Sequence, residues 1–155
     1  MKINIFYNTK LPPAQRRTKL FETTVAAALG RSAKFEGEVN LIFISGREIR
    51  KINKQFLSHD YETDVIAFQY PSGPEILLGD IFVCVKIAQK NAALYKQSVL
   101  RELMTYAVHG ALHLTGMDDA TPSQRAAMDK KTVNVLTQVK KQPRQHRQGI
   151  PAITS

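Results

Sequence analysis

The chain has 155 residues, of which 43% are hydrophobic and 23% are charged, as in ordinary globular proteins. That length fits one domain with a core of its own. No apolar run approaches the roughly 20 residues of a membrane span, and the N-terminus lacks the pattern of a signal peptide. The single cysteine, Cys84, excludes an internal disulfide. We therefore expect a cytoplasmic protein without a membrane partner.

The charge balance indicates a polyanionic partner. Lys and Arg number 22 against 13 Asp and Glu, which leaves a net charge of +9. Nucleic acid is the polyanion that basic domains most commonly meet. Four of the cations belong to a polar C-terminal stretch that is typical of a solvated tail: Lys140, Lys141, Arg144 and Arg147. Charge alone therefore leaves an ordinary solvated surface as the alternative.

The first elements are a strand and a helix. Residues 2–7 alternate in polarity as a half-buried strand does. Pro12 and Pro13 favour the start of a helix, and Gly30 is placed to end it.

A second strand is predicted over 38–44 and is followed by a helix start. Ser45 and Glu48 form a capping box, in which each side chain satisfies a free amide of the first turn. Two further strands, 64–70 and 76–85, are separated by a turn with two prolines and a glycine. This pattern predicts a hairpin.

The C-terminal part is predicted to be helical. A helix over 86–95 precedes a heavily apolar one over 98–115, which should be mostly buried. Gly116 can adopt the left-handed conformation that ends it. Residues 121–124 form a second capping box, and the last helix runs to Val139.

These elements predict the α+β class, with a mixed sheet of about four strands flanked by helices. We expect one domain over 1–140 and a basic, flexible tail over 141–155.

Two histidines on the apolar helix carry the chemical signal. His109 and His113 are four residues apart, and four residues advance an α-helix by about 400°, so both imidazoles point from one face. Gly116 lets the chain reverse, which brings Asp119 back over that face as a third ligand. Two imidazoles and one carboxylate leave one position of a tetrahedral zinc open, as in catalytic sites. The pattern predicts one zinc ion held by His109, His113 and Asp119.

Other interpretations of this pattern remain open. A buried histidine is more often a hydrogen-bonded core residue than a ligand, although two unpartnered imidazoles on a core helix are costly. Two histidines and one carboxylate also suit a non-haem iron. The helix is zincin-like, but zincins place a general-base Glu directly after the first His, where this chain has Gly110. Peptidase chemistry of that kind therefore lacks its base.

The segment from His109 to Asp119 reads HGALHLTGMDD. It resembles H-G-x-L-H-L-x-G-Y-D-H, the signature of the YbeY family, the bacterial rRNA-maturation endoribonucleases. Residues 63–68, TDVIAF, resemble the family's T-D-V-L-S-F strand, and residues 78–81, LGDI, its L-G-D-I strand. Ile52-Asn53 stands where a Leu-Asn pair is usual. The resemblance covers roughly residues 2–140.

The resemblance implies a zinc-dependent endoribonuclease that is specific for single-stranded RNA. It would act in 16S rRNA 3′-end maturation and ribosome quality control. Its partners would be the 16S rRNA precursor and the ribosomal small subunit, with no DNA expected. The implied fold is a sheet flanked by helices, with the metal in a cleft. A non-catalytic, RNA-binding ribosome-assembly factor with a structural metal is the alternative.

Two departures from the family pattern affect the site. The family's third histidine is Asp119 here, and a carboxylate ligand makes the metal a weaker Lewis acid. The family usually has an arginine at the position of Leu57, where it would meet an RNA phosphate. Lys51, Lys54 and His59 are the candidates to replace it in RNA binding.

The general base and the nucleophile stay open. Asp64 and Asp118 are catalytic candidates, but Asp64 also suits a strand-end cap, and Asp118 a cap or a hydrogen bond to an imidazole. Glu102 lies seven residues before His109 on the same helix face, where it is equally suited to pair with a Lys or Arg. We assign Cys84 to the core.

Overall fold

The computed structural model describes residues 1–141. The strands in this part of the chain are β1 (Lys2–Tyr7), β2 (Glu36–Ile44), β3 (Val65–Tyr70) and β4 (Ile76–Cys84). The α-helices are α1 (Thr18–Leu29), α2 (Gly46–Leu57), α3 (Val85–Tyr95), α4 (Val99–Leu114) and α5 (Pro122–Lys141). The predicted α+β class is thereby confirmed.

The four strands form one mixed sheet in the order β1-β2-β4-β3. β1 pairs with β2 in parallel, and β2 with β4 in parallel. β3 and β4 are antiparallel, which confirms the predicted hairpin. Along β2 the side chains of Val39, Leu41 and Phe43 are fully buried and point to one face, as the two-residue period of a strand requires.

Helix α4 lies in the main core against that face. It contacts β3 and β4 as well as helices α1, α3 and α5. Leu103, Ala107, Val108 and Ala111 have no exposed surface, so the prediction of a mostly buried helix is confirmed. Burial on this scale fixes the helix that carries both histidines against the sheet.

The opposite face of the sheet packs against α2. Ile49 of α2 joins Ile44, Ile66 and Cys84 in a second, smaller core. Cys84 is fully buried, as predicted, and burial raises the pKa of its thiol. The sheet is therefore covered by helices on both faces around its centre.

The helix boundaries follow local chemistry. The Ser45–Glu48 capping box is present, and so is the second one, in which Thr121 and Gln124 exchange hydrogen bonds of 3.0 and 3.1 Å. The prediction that Pro12 and Pro13 start the first helix is wrong. Pro13 begins a separate three-residue 3-10 turn, and α1 starts only at Thr18.

Glycines end two helices as predicted. Gly30 has φ +57° after α1, and Gly116 has φ +99° after α4. Both lie in the region that side chains with a Cβ rarely adopt. At Gly116 the chain turns back toward the end of α4, which brings the following Asp118 and Asp119 close to His113.

The remaining sequence predictions concern the membrane and the tail. Within residues 1–141, no helix is long and apolar enough to span a bilayer. Lys141 is the last residue of α5. The rest of the predicted basic tail, 142–155, lies outside the described residues.

A row of polar side chains crosses the whole sheet. Asn4 donates to Asn40 at 2.9 Å, and Asn40 donates to Oδ1 of Asp80 at 2.9 Å. The Tyr70 hydroxyl donates to Oδ2 of Asp80 at 2.7 Å. This hydrogen bond, with burial and the charge of Asp80, raises the pKa of Tyr70 to about 12. All four strands are thus tied by side chains as well as by their backbones.

Tyr70→Phe should lower the free energy of unfolding by about 1 kcal/mol at pH 7, because one hydrogen bond to a carboxylate is lost. The effect should also depend on pH. Because folding raises the pKa of Tyr70, its contribution is present below about pH 10, the ordinary tyrosine value, and declines as the pH rises toward 12. Urea denaturation at pH 8 and pH 11 measures both effects. Tyr95→Phe, at an exposed tyrosine, is the control, and an unchanged pH dependence in Tyr70→Phe would contradict the prediction.

Candidate metal centre and cleft

His113 occupies the last turn of α4, and its ring is oriented by the backbone. Nδ1 lies 3.1 Å from the carbonyl oxygen of Met117. A carbonyl oxygen only accepts hydrogen bonds, so Nδ1 carries the proton. In the neutral imidazole Nε2 then holds a free lone pair, which is the form that binds metal. Nε2 lies 3.4 Å from Oδ2 of Asp119.

The turn after α4 is held from both sides. Asp118 accepts a hydrogen bond from the backbone N–H of Asp119 at 2.8 Å through its Oδ1. Arg125, from the first turns of α5, donates to the carbonyl oxygens of Asp119 at 3.4 Å and Ala120 at 3.1 Å. These contacts fix the position at which the Asp119 carboxylate faces His113.

The arrangement suits a cation. Ligand atoms of His113, Asp118 and Asp119 all lie within 4.8 Å of one another, so the three side chains can hold a metal ion. Nε2 of a neutral His113 and Oδ2 of Asp119 both present electron pairs, which a shared cation would bring together. Two ligands about 2.0–2.1 Å from one tetrahedral ion lie roughly 3.4 Å apart, close to the 3.4 Å observed. The donor set fits zinc and related transition metals.

His109 lies one helical turn before His113 and is not part of that three-residue group in the region the structure describes. Its side chain is half-buried. Burial lowers the pKa of His109, while the negative charges of Asp64 and Asp129 act in the opposite direction. The lowered pKa favours the neutral imidazole that a metal requires. Its role as a ligand stays a prediction.

The two catalytic candidates both have structural hydrogen bonds. Asp64 accepts from the backbone N–H of Val65 at 2.7 Å and from the Thr63 hydroxyl at 3.3 Å, as a cap at the start of β3. Its charge also acts on His109. Asp118 organises the turn described above. Both carboxylates therefore have structural roles, and their part in catalysis stays a prediction.

Glu102 has a different partner from the one considered in the sequence. It is 8% exposed and accepts a hydrogen bond from the Tyr106 hydroxyl at 3.1 Å. Asn91 in turn donates to that hydroxyl at 2.8 Å. Burial and the nearby carboxylate of Glu102 raise the pKa of Tyr106. Within residues 1–141, Glu102 forms no ion pair with a Lys or Arg, so its place is in a buried polar network.

A cleft of about 410 Å³ opens beside His113. Its walls come from α2, the loop after it, β3 and α4. The residues that line it are Asn53, Leu57, His59, Tyr61, Thr63, Val65, Ile66, Ala67 and His113. Of the three RNA-binding candidates, only His59 lines the cleft. Lys51 and Lys54 are exposed on α2, where the Lys54 ammonium lies 4.0 Å from Asp60.

Comparison with known proteins identifies the family. The sequence model described as Endoribonuclease YbeY matches residues 4–140, which is most of the chain. The chain belongs to the YbeY family. This membership confirms the family and the endoribonuclease class that the motif predicted.

Individual relatives agree with the family match. A protein named Endoribonuclease YbeY from Elusimicrobium minutum is 57% identical over 143 residues, which cover 90% of this chain and 100% of that protein. A protein of the same name from Phocaeicola vulgatus is 38% identical over 125 residues, covering 77% of this chain and 85% of that one. A solution structure of a Thermotoga maritima protein is similar with a TM-score of 0.58 and 25% identity, covering 91% of this chain and 93% of that one.

Against the YbeY signature, the structure places Asp119 beside His113 and leaves Leu57 in the cleft wall. Three groups of the metal centre and cleft were not predicted from the sequence. They are the Met117 carbonyl that orients His113, Tyr61 in the cleft lining, and the buried side chain of Asn53. A backbone carbonyl leaves no signal in a sequence. Asn53 did carry a sequence signal, since Ile52-Asn53 matches a family motif, but its hydrogen bonds to the following loop were not predicted.

Proposed function

We propose that this chain is a metal-dependent endoribonuclease that cuts single-stranded RNA at the His113–Asp119 centre. Zinc is the proposed metal, and the 16S rRNA precursor in the small ribosomal subunit is the proposed substrate, in the cytoplasm. The observation that carries the proposal is the pairing of Nε2 of His113 with Oδ2 of Asp119 at 3.4 Å, beside an open cleft. Membership of the YbeY family supports it.

The side chains of the proposed metal centre have different roles. His113, Asp119 and His109 are the proposed ligands, with Asp118 close enough to contribute or to hold the turn. A bound metal would supply Lewis-acid chemistry, which polarises a phosphodiester oxygen or lowers the pKa of a water. The carbonyl of Met117 keeps the proton of His113 on Nδ1, away from the ligand nitrogen. The negative charge of Asp119 offsets part of the metal charge, so we expect a milder Lewis acid than with three neutral imidazoles.

Metal removal tests this proposal. The protein purified without added metal should contain about one zinc per chain by elemental analysis, and iron in its place would favour the non-haem iron interpretation. It should cut an unstructured RNA but neither the matching duplex nor DNA of the same sequence. EDTA should abolish cleavage, and stoichiometric zinc should restore it. Full cleavage by protein shown to be free of metal would contradict the proposal.

A non-catalytic RNA-binding assembly factor is the second candidate. One observation favours it, since no Lys or Arg among residues 1–141 lines the cleft beside His113 to stabilise a phosphate charge. The two functions differ in one measurement. A His113→Ala variant that keeps RNA binding but loses cleavage supports the enzyme, whereas cleavage that is unchanged by this substitution comes from a contaminating nuclease.

A further inference from the structure

We propose that His59 and Tyr61 form a stacking platform that receives one unpaired nucleobase of the RNA in the cleft beside His113. The platform lies in the loop between α2 and β3. The sequence suggested His59 as a substitute for a phosphate-binding arginine, but not as part of an aromatic stack with Tyr61. The inference rests on the proposed function for its substrate class, RNA. It adds how the strand is held and why an unpaired strand is selected.

The two rings are arranged as the start of a base stack. Their centroids are 5.2 Å apart and their planes differ by 13°, so they lie nearly parallel. Tyr61 is 54% exposed and His59 is also exposed, which leaves ring surface free for a third flat partner. Both residues line the cleft that His113 also lines. A base stacked here would therefore place its own phosphodiester near the metal centre.

The platform is built before any ligand arrives. Asn53 is 2% exposed, and its side chain donates to the carbonyl of Tyr61 at 3.0 Å. The Asn53 carbonyl accepts from the backbone N–H of His59 at 3.1 Å. Between these anchors, Asp60 forms an ion pair with Arg50 at 2.8 Å. A loop held at three points loses little entropy on binding, so its contacts count more fully toward affinity.

The chemistry of the cleft favours a base over a phosphate. Its walls include Leu57, Val65, Ile66 and Ala67, and within residues 1–141 they include neither Lys nor Arg. The volume of about 410 Å³ lies in the range of small-molecule pockets, roughly 300–1,000 Å³. Aromatic rings bind any base through its π face, whereas protein walls without a Lys or Arg are a poor site for a phosphate.

Cations that could bind the RNA backbone lie outside the cleft on helix α2, which also forms part of the cleft wall. Arg47, Lys51 and Lys54 are exposed and follow one another at spacings of four and three residues, so they share one face of α2. With a net charge of +9, the chain complements a polyanion. A backbone running along this face could insert a base into the cleft only if that base is unpaired. Single-strand selectivity follows from this arrangement.

The test uses the full-length, zinc-loaded protein and a short single-stranded RNA that carries one 2-aminopurine. The RNA has 2′-O-methyl groups and phosphorothioate linkages, so that it is bound but not cut. Wild-type protein should quench the 2-aminopurine fluorescence by stacking. Tyr61→Leu should weaken binding roughly 5- to 150-fold, the range for one lost base–aromatic stack, and remove the quenching.

Three controls make the result specific. Tyr61→Phe keeps the ring and should bind within about twofold of the wild type. Tyr95→Leu removes another tyrosine, 63% exposed and not part of the cleft lining, and should change nothing. An RNA with an abasic site in place of 2-aminopurine should bind the wild type more weakly than the intact RNA does. The Tyr61→Leu variant should bind both RNAs with the same affinity.

The experiment can overturn the proposed platform and the proposed nuclease function independently of each other. Wild-type affinity and quenching in Tyr61→Leu overturn the platform, even if the protein cuts unmodified RNA. Equal losses in Tyr61→Leu and Tyr61→Phe also overturn it, because the hydroxyl and not the ring would then be responsible. Quenching that depends on Tyr61 in a protein that never cuts RNA supports the platform and overturns the proposed nuclease.

Discussion

Replacing His113 by alanine should remove the bound metal and lower RNA cleavage by at least about 100-fold. Loss of a hydrogen bond behind a metal ligand alone typically costs 10- to 100-fold in affinity or activity, and here the proposed ligand nitrogen itself is removed. The side chain is 29% exposed, so the deletion leaves no large core cavity and the fold should persist. Elemental analysis and single-turnover cleavage measure the two effects, and circular dichroism checks the fold.

Two neighbouring carboxylates provide a matched pair for the same measurements. Asp119→Asn removes the charge that faces His113, so metal occupancy should fall. Asp118→Asn keeps the side-chain oxygen that accepts from the backbone of Asp119, so occupancy should fall less than in Asp119→Asn. Equal zinc occupancy in the wild type and in Asp119→Ala would refute Asp119 as a ligand. Asp119→His, which restores the usual family residue, should retain the metal.

The placement of Asp119 near His113 could be predicted from the sequence because it depends only on local backbone geometry. The four-residue spacing of an α-helix and the reversal at Gly116 were enough to place Asp119 opposite His113. The contact between Glu102 and Tyr106 follows the same four-residue spacing and could have been found in the same way. Such contacts need only the periodicity of one helix and the turn that follows it.

The cleft could not be predicted in this way, because it joins segments that are far apart in the sequence. Within the nearby segment 53–61, Asn53 of α2 holds the backbones of His59 and Tyr61, whose rings face each other. The end of α4 reaches the same cleft only through the packing of α4 on β3. These placements depend on tertiary packing, and no short sequence motif encodes them.

Packing also explains why the zincin general base is missing. Gly110 is buried on α4, and a Cβ built there would lie 2.2 Å from Cγ2 of Ile81. Ile81 is fully buried in β4. The position after the first histidine therefore faces the sheet so closely that any side chain there would force Ile81 or the helix to shift. A glutamate would be far larger than this space, which explains why the general base of the zincins is absent from this helix.

Gly110→Ala should therefore destabilise the protein, although alanine is the better helix former. The gain in helix propensity is at most about 1 kcal/mol, whereas overpacking a core typically costs 1–3 kcal/mol and more when backbone must shift. Because the 2.2 Å approach places the cost at the upper end of that range, we expect a net loss of about 2 kcal/mol in urea denaturation. Gly73→Ala, where the nearest atom would lie at an ordinary 3.4 Å, should be close to neutral and is the control.

A double-mutant cycle identifies the cause of that loss. Ile81→Ala alone should cost about 2–5 kcal/mol because it leaves a cavity. In the double variant the methyl group at position 110 fills part of that cavity, so the total loss should be smaller than the sum of the two single losses. Additive losses would place the cause elsewhere than in the contact between α4 and β4. Because the proposed ligands His109 and His113 lie on the same helix, metal affinity should fall in Gly110→Ala and recover in the double variant.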